Sequence, residues 1–380
     1  MSAPPLSIYV HVPFCASRCG YCDFNTYTAT ELPAAVSRET FHQVLIREIR
    51  SLASAYDGRS VTTIFIGGGT PTLIGSAALG AILQAVAESF ALAPEAEVTT
   101  EANPDAVDEV MLEQLRAAGF TRISLGMQSA AKGVLAVLDR THTPGRSAEM
   151  ARAARRAGFE HVNLDLIYGT PGERDEDLRD SLDAVIDAHV DHVSAYALIV
   201  EAGTGLARRI DRGEIARPDD DVAAHRYLII DEVLAAAGFG WYEVSNWARP
   251  GGECRHNRAY WSGADWLGIG PGAHSHVAGR RWWNAKHPSG YAEALGAGRS
   301  PIAGWEDLDA QQRRIERIML DVRTRDGLAL AEVGQRPDDP AVQALLEDGL
   351  IEPGPLASGG LVLSQRGRLL ADLVIRALVG

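Results

Sequence analysis

Two hydrophobic periods alternate along the first two hundred residues. Ile8–Val12 switches between faces and is β-branched, so it reads as a strand. From about residue 33 to residue 55 the period lengthens. Phe41, Leu45, Ile49 and Leu52 then share one face of a predicted amphipathic helix. Val61–Ile66 reads as a buried strand ending in Gly67-Gly68-Gly69-Thr70-Pro71. A helix over Leu79–Phe90 and a strand over Val98–Glu101 follow, with Asn103-Pro104 as the stop. Val107–Ala118 is a helix closed by Gly119, and Arg122–Gln128 is the next strand. Helical stretches surround Val134 and Met150, the second ending at Gly158. His161–Ile167 is a strand, Leu178–Ala188 a helix and His192–Ile199 a strand.

Strand and helix therefore alternate six times, the signature of parallel βαβ units. The expected fold class is α/β, a barrel, open or closed, of six β/α repeats. In such barrels chemistry gathers at the C-terminal strand ends. Gly67–Thr70, Glu101, Gln128 and Asp165 sit at those ends. A helix over 221–237 follows, and Gly238–Trp247 reads as strand or loop. Residues 236–300 hold six of the seven tryptophans, which marks them as core-completing rather than linker. The last eighty residues change character. Helices are predicted over Asp309–Val322 and Pro340–Asp348, then a hairpin from Ile351–Leu356 and Leu361–Leu363, then a helix over Arg366–Ala377. That order resembles a winged-helix module. Its acids, among them Glu332, Asp338, Glu347 and Glu352, favour a packing or lid role over nucleic-acid binding. The expected division is 1–235, 236–300 and 301–380.

Composition narrows the class. A chain of 380 residues, 46% hydrophobic, can bury one large α/β core and a smaller one. A formal charge of −14 argues against a nucleic-acid partner, because phosphate binding needs a basic face. No run of eighteen apolar residues predicts a transmembrane helix, and the first residues lack the basic start and apolar core of a secretory signal. A reducing, cytoplasmic location is expected.

Three of the four cysteines, Cys15, Cys19 and Cys22, form a C-x3-C-x2-C run directly after the first strand. An odd count without a signal sequence does not suit a disulfide framework. A zinc site would want a fourth ligand nearby, and Cys254 is far off in sequence. An iron–sulfur cluster fits better. Four thiolates normally hold such a cluster; three on a cubane leave one iron open, as a reactive centre does. Tyr21, beside Cys22, would shield it from solvent. The glycines after the second strand let a ligand approach the backbone, which a Cβ would block.

This run resembles the cluster loop of the radical S-adenosylmethionine (SAM) superfamily. The resemblance implies a 4Fe–4S cluster whose open iron binds the amino and carboxylate groups of SAM, and whose reduced form cleaves SAM to a 5′-deoxyadenosyl radical. It further implies a partial (β/α)6 barrel and an electron donor for the cluster. Gly68, Gly69 and Thr70 resemble the segment that meets the SAM amino group. Glu101 would neutralise that ammonium or bond a ribose hydroxyl. Gln128 and Arg140 would contact ribose and carboxylate, and Asp165 a ribose hydroxyl. Gly268-Ile269-Gly270-Pro271-Gly272-Ala273 would close over the site.

Nearly the full chain resembles one branch, the oxygen-independent coproporphyrinogen oxidases (HemN) and their relatives, the HemW family of haem chaperones. By that resemblance Tyr9, Tyr21, Ile199 and Ala273 also fall on SAM-contacting positions. HemN carries a further cysteine where this chain has Phe24, and a longer segment before its first strand, which here begins at Ile8. Both departures argue against coproporphyrinogen decarboxylation. His256-Asn257-Arg258-Ala259-Tyr260-Trp261 matches the H-N-x-x-Y-W motif of HemW. The resemblance implies haem as ligand and a haem-acceptor protein as partner, with transient contact to a membrane protein left open. His256 would ligate haem iron, Tyr260 and Trp261 would stack on the macrocycle, and Arg255 and Arg258 would pair with the propionates. His11 is expected beside the cluster rather than on it, and Cys254 as a buried small side chain. A radical enzyme acting on tetrapyrroles, an oxidase or a HemN-like methyltransferase, is the alternative.

Overall fold

The computed structural model of the protein describes residues 4–33 and 36–380. Twelve strands form one sheet. They are β1 (Leu6–Val12), β2 (Ser60–Gly68), β3 (Ala91–Ala102), β4 (Arg122–Gln128), β5 (His161–Tyr168), β6 (His192–Ala197), β7 (Gly240–Glu243), β8 (Asn246–Ala248), β9 (Asp265–Ile269), β10 (His274–Val277), β11 (Arg280–Asn284) and β12 (Ile302–Asp307). Their order is β12-β11-β10-β9-β1-β2-β3-β4-β5-β6-β8-β7. The first six strands pair in parallel, as the alternating pattern predicts, and β9 adds a further parallel strand beside β1. The sheet ends in edges at β12 and β7, so the barrel is open.

Strand periodicity divides the two faces. In β1, Leu6, Ile8, Val10 and Val12 are fully buried in the main core, while Ser7, Tyr9 and His11 face the barrel interior. Outer helices bring Phe41, Leu45 and Ile49 to the same core. The predicted long first helix is shorter, Phe41–Leu52, followed by a 3₁₀ turn over Ala53–Tyr56. Residues 34 and 35 of that expectation lie outside the described residues.

Strands β9 to β12 were not legible as strands. Each has six residues or fewer, and they are separated by glycines. Strand β12 lies beyond residue 300 yet belongs to the large sheet. Past it, Ile318, Leu330, Val342, Leu361 and Val374 form a second apolar core. The expected hairpin there takes another form. Pro353–Leu356 is a helical turn, Gly360–Leu361 pairs with Leu328–Ala329, and Ile351 meets Leu363 in a single bridge. Two prolines over Pro353–Leu356 remove ladder donors, which explains the loss of strand. The last helix is broken at Leu370 into Gln365–Leu369 and Ala371–Val379. Arg258–Asp326 at 2.8 Å and Arg368–Asp231 at 2.7 Å tie this region to the barrel.

Candidate functional site

The C-terminal ends of β1 to β5 meet around a cavity of about 160 Å3. Cys15, Cys19, Tyr21 and Cys22 line it from the loop after β1, with Gly68, Gly69 and Thr70 from the end of β2. Glu101, Gln128, Arg140 and Asp165 complete the expected set. Residues 79 to 150 positions away from the cysteines thus arrive at one rim, Glu101, Gln128 and Asp165 through parallel strands and Arg140 from a loop between two helices.

Among the described residues, no three Cys, His, Asp or Glu side chains converge closely enough to hold a single metal ion. Three thiols lining one cavity suit a multi-iron group, in which each thiolate holds a different iron. Burial, then the neighbouring Cys22, pushes the Cys15 thiol up to about 11. Burial also raises Cys22. Metal binding would remove those protons.

The cavity is built for close approach and for a cation. A Cβ on Gly69 would strike the Phe14 carbonyl oxygen and come within 3.1 Å of the Cys15 sulfur. Gly68 has φ 118°, and a Cβ there would meet His11 at 2.7 Å. Glu101 accepts the Gly68 N–H at 2.9 Å. Burial, then the nearby Asp165, pushes the Glu101 carboxyl up to about 8. Burial raises Asp165 as well, against hydrogen bonds from Ser124 at 2.9 Å and Asn163 at 2.7 Å. Arg140 donates to Cys19 Sγ at 3.3 Å and to the Gly126 carbonyl at 3.1 Å, and its buried Nε has no partner. Gln128 is held at φ 67°, a strained value for a non-glycine residue, at the turn that aims it inward. Two neighbouring half-buried acids and an unfilled guanidinium donor match a ligand that carries both an amino and a carboxylate group.

Three expected contacts lie elsewhere. Tyr9 is below the cavity, bonded to His11 Nδ1 at 2.9 Å and stacked on Phe65. Ile199 is 67% exposed past the end of β6. Ala273 is buried between β9 and β10. None of the three lines the cavity. Thr26, Asn103, Ser124, Asp139 and Thr141 line it without having been singled out. Their signal was adjacency: each lies within four residues of a recognised position. His11 is beside the cluster loop, as expected, with Nε2 bonded to the Asn25 carbonyl at 2.9 Å.

At the opposite end of the barrel, Arg255–Trp261 forms a short helix. Glu97 accepts the N–H of Arg255 at 3.1 Å and of His256 at 3.0 Å, and pairs with buried Arg122 at 3.1 Å. His256 is 1% exposed. Its Nδ1 meets Thr63 Oγ1 at 2.8 Å, and that hydroxyl donates to Ser7 Oγ at 2.9 Å. Nδ1 therefore carries the proton, and Nε2 accepts from the Tyr260 hydroxyl at 3.0 Å. Burial pushes the imidazole down to about 4. Both nitrogens are hydrogen-bonded within the core, so the expected iron-ligand role of His256 finds no free ring nitrogen here. Tyr260 is half-buried in the same network, and its hydroxyl is likewise spent on His256. Asn257 is half-buried on this floor helix, while Trp261 borders a separate cavity of about 350 Å3 with Arg255, Arg258 and Glu243. Arg258 forms an exposed ion pair with Asp326, and Arg255 donates to the Glu95 carbonyl. Cys254 is a buried thiol directed at Glu97.

Residues 9–185 match the model of the radical SAM superfamily. The chain is 54% identical over all 380 residues to the haem chaperone HemW of Mycobacterium tuberculosis, covering 96% of that protein. The chain belongs to the HemW family. It is also 35% identical over 350 residues to the haem chaperone HemW of Escherichia coli, covering 91% of this chain and 88% of the relative. The solved structure of the radical SAM enzyme coproporphyrinogen III oxidase, HemN, from Escherichia coli superposes with a TM-score of 0.85 at 23% identity. It covers 100% of this chain and 91% of that one, and establishes a shared fold. In the HemW family frame, the rim cavity holds the family's cysteine run and the floor helix holds its H-N-x-x-Y-W motif.

Proposed function

We propose that this protein is a haem chaperone that binds haem and passes it to an acceptor protein. The observation that carries the reading is the 54% identity to a HemW haem chaperone along the whole chain. Cys15, Cys19 and Cys22 would hold a 4Fe–4S cluster. Gly68 to Thr70 would admit SAM to the backbone, Glu101 and Asp165 would face its ammonium, and Arg140 its carboxylate. When bound and reduced, such a cluster supplies reductive cleavage of SAM. The residues around it orient the ligand and exclude water: Tyr21 covers Cys19, and Arg140 donates to the Cys19 sulfur. An electron donor would serve the cluster. No described helix is long and apolar enough to cross a membrane.

The test is a titration of anaerobically reconstituted protein with haem, followed by Soret absorbance. Saturable binding is expected. Linear, non-saturating absorbance would remove the chaperone reading and leave the radical tetrapyrrole enzyme as the alternative.

A further inference from the structure

A line of aromatic rings runs from Phe65 on β2, across the floor helix, to the wall formed by β9 to β12. Phe65 lies 5.3 Å from His256, His256 4.8 Å from Tyr260, Tyr260 4.9 Å from Trp266, and Trp266 5.0 Å from His276, centroid to centroid. The line then passes onto the wall formed by β9 to β12. Trp266 pairs with His276, and His274 pairs with Trp283, so these four side chains share one face. The opposite face, with Val277 and Trp282, packs against the main core. The wall is therefore an inner surface, not a helix-covered one.

Two features single out His274. First, it is exposed, and among the described residues its ring makes no hydrogen bond; only its carbonyl is used, accepting from Trp266 Nε1 at 3.0 Å. Second, aromatic rings flank it on the same face of the sheet. Trp283 lies over Gly304, where a Cβ would come within 2.5 Å of the indole, and its ring sits 5.8 Å from His274. His276 and Trp266 close the barrel side of the same surface.

We propose that haem iron is taken by His274 on this wall, not by His256. The inference rests on the haem-chaperone reading. A free imidazole is a standard axial ligand for haem iron, and the flanking indoles offer the apolar area that a macrocycle buries. His256 is a positioning residue. It fixes the Tyr260 hydroxyl, and the Tyr260 ring meets Trp266 edge-on at 84°. Substitution of His256 thus loosens the wall without removing the ligand.

The experiment compares full-length reconstituted protein with its His274→Ala, His274→Cys, His276→Ala and His256→Ala variants, each titrated with haem and examined by Soret position and resonance Raman. Circular dichroism and iron content check that each variant is folded and loaded. Wild-type protein is expected to show nitrogenous ligation. His274→Ala should bind at least about tenfold more weakly and lose that signature. His274→Cys should gain thiolate bands. His256→Ala and His276→Ala should bind more weakly with the wild-type signature intact. Retention of the wild-type signature by His274→Ala, or its loss in His256→Ala or His276→Ala alone, would overturn the assignment. Absence of saturable binding by the wild type would instead overturn the chaperone reading beneath it.

Discussion

Glu97 and Arg122 form an ion pair at 3.1 Å under the barrel floor, with both side chains 2% exposed. Burial works against the Glu97 charge, yet Arg122 and the N–H groups of His256 and Arg255 hold its carboxyl below the usual range. The pair thus anchors the start of the helix carrying the H-N-x-x-Y-W motif. Glu97→Ala leaves the buried Arg122 charge without its carboxylate partner and two N–H groups without an acceptor. The expected cost is about 3–5 kcal/mol in urea denaturation of the haem-free protein, partly recovered in the Glu97→Ala, Arg122→Leu double variant. A single-variant cost within about 0.5 kcal/mol of zero, as at an ordinary surface site, would contradict this role.

Gly69→Ala places a methyl group against Phe14 and the Cys15 sulfur. The neighbour is backbone, which cannot turn aside. Iron and sulfide after anaerobic reconstitution should fall well below the wild-type content, with the far-ultraviolet circular dichroism unchanged. Full loading would mean that the loop has slack that its contacts do not reveal.

Arg140→Lys tests the rim cavity separately from the cluster. Lysine keeps the charge but cannot reach Gly126 and Cys19 while also offering a third donor. SAM affinity, measured by equilibrium dialysis on cluster-loaded protein, should drop about tenfold, or ~1.4 kcal/mol. Unchanged affinity would detach Arg140 from SAM.

Glu48 supplies a pH test outside both sites. It is 3% exposed and accepts from Gly270 N at 2.8 Å, Asn284 Nδ2 at 2.7 Å and the Tyr291 hydroxyl. Burial pushes its carboxyl from 4.5 up to about 7, against those three donors. The folded state therefore holds this proton more tightly than the unfolded chain. Its stabilising contribution is full below about pH 4.5 and disappears as pH rises through 7, a change on the order of 3 kcal/mol. Glu48→Gln should flatten the fall in stability between pH 5 and 8, read by denaturation at each pH. An unchanged slope would place the titration elsewhere.

The barrel and its rim were readable because their signals are local. Alternation in Ile8–Val12 and the helical spacing of Phe41, Leu45 and Ile49 report burial directly. The cysteine spacing reports its chemistry within eight residues, and strand-end residues inherit position from the parallel fold. His256 was not readable in this way. What occupies its Nδ1 is Thr63, 193 residues earlier, and no pattern near His256 announces that contact. The inner wall was hidden for a related reason. Four- to six-residue strands such as His274–Val277 and Arg280–Asn284 carry too few positions to establish a period, and their aromatic residues align only through pairing.

The most direct test sets the chaperone against the enzyme on one preparation. Reconstituted protein is incubated anaerobically with SAM, a reductant and coproporphyrinogen III, and the tetrapyrroles are separated by mass; haem is titrated into the same sample. The account predicts unchanged coproporphyrinogen beside saturable haem binding. Decarboxylated porphyrinogen formed over many turnovers, without saturable haem binding, would contradict it.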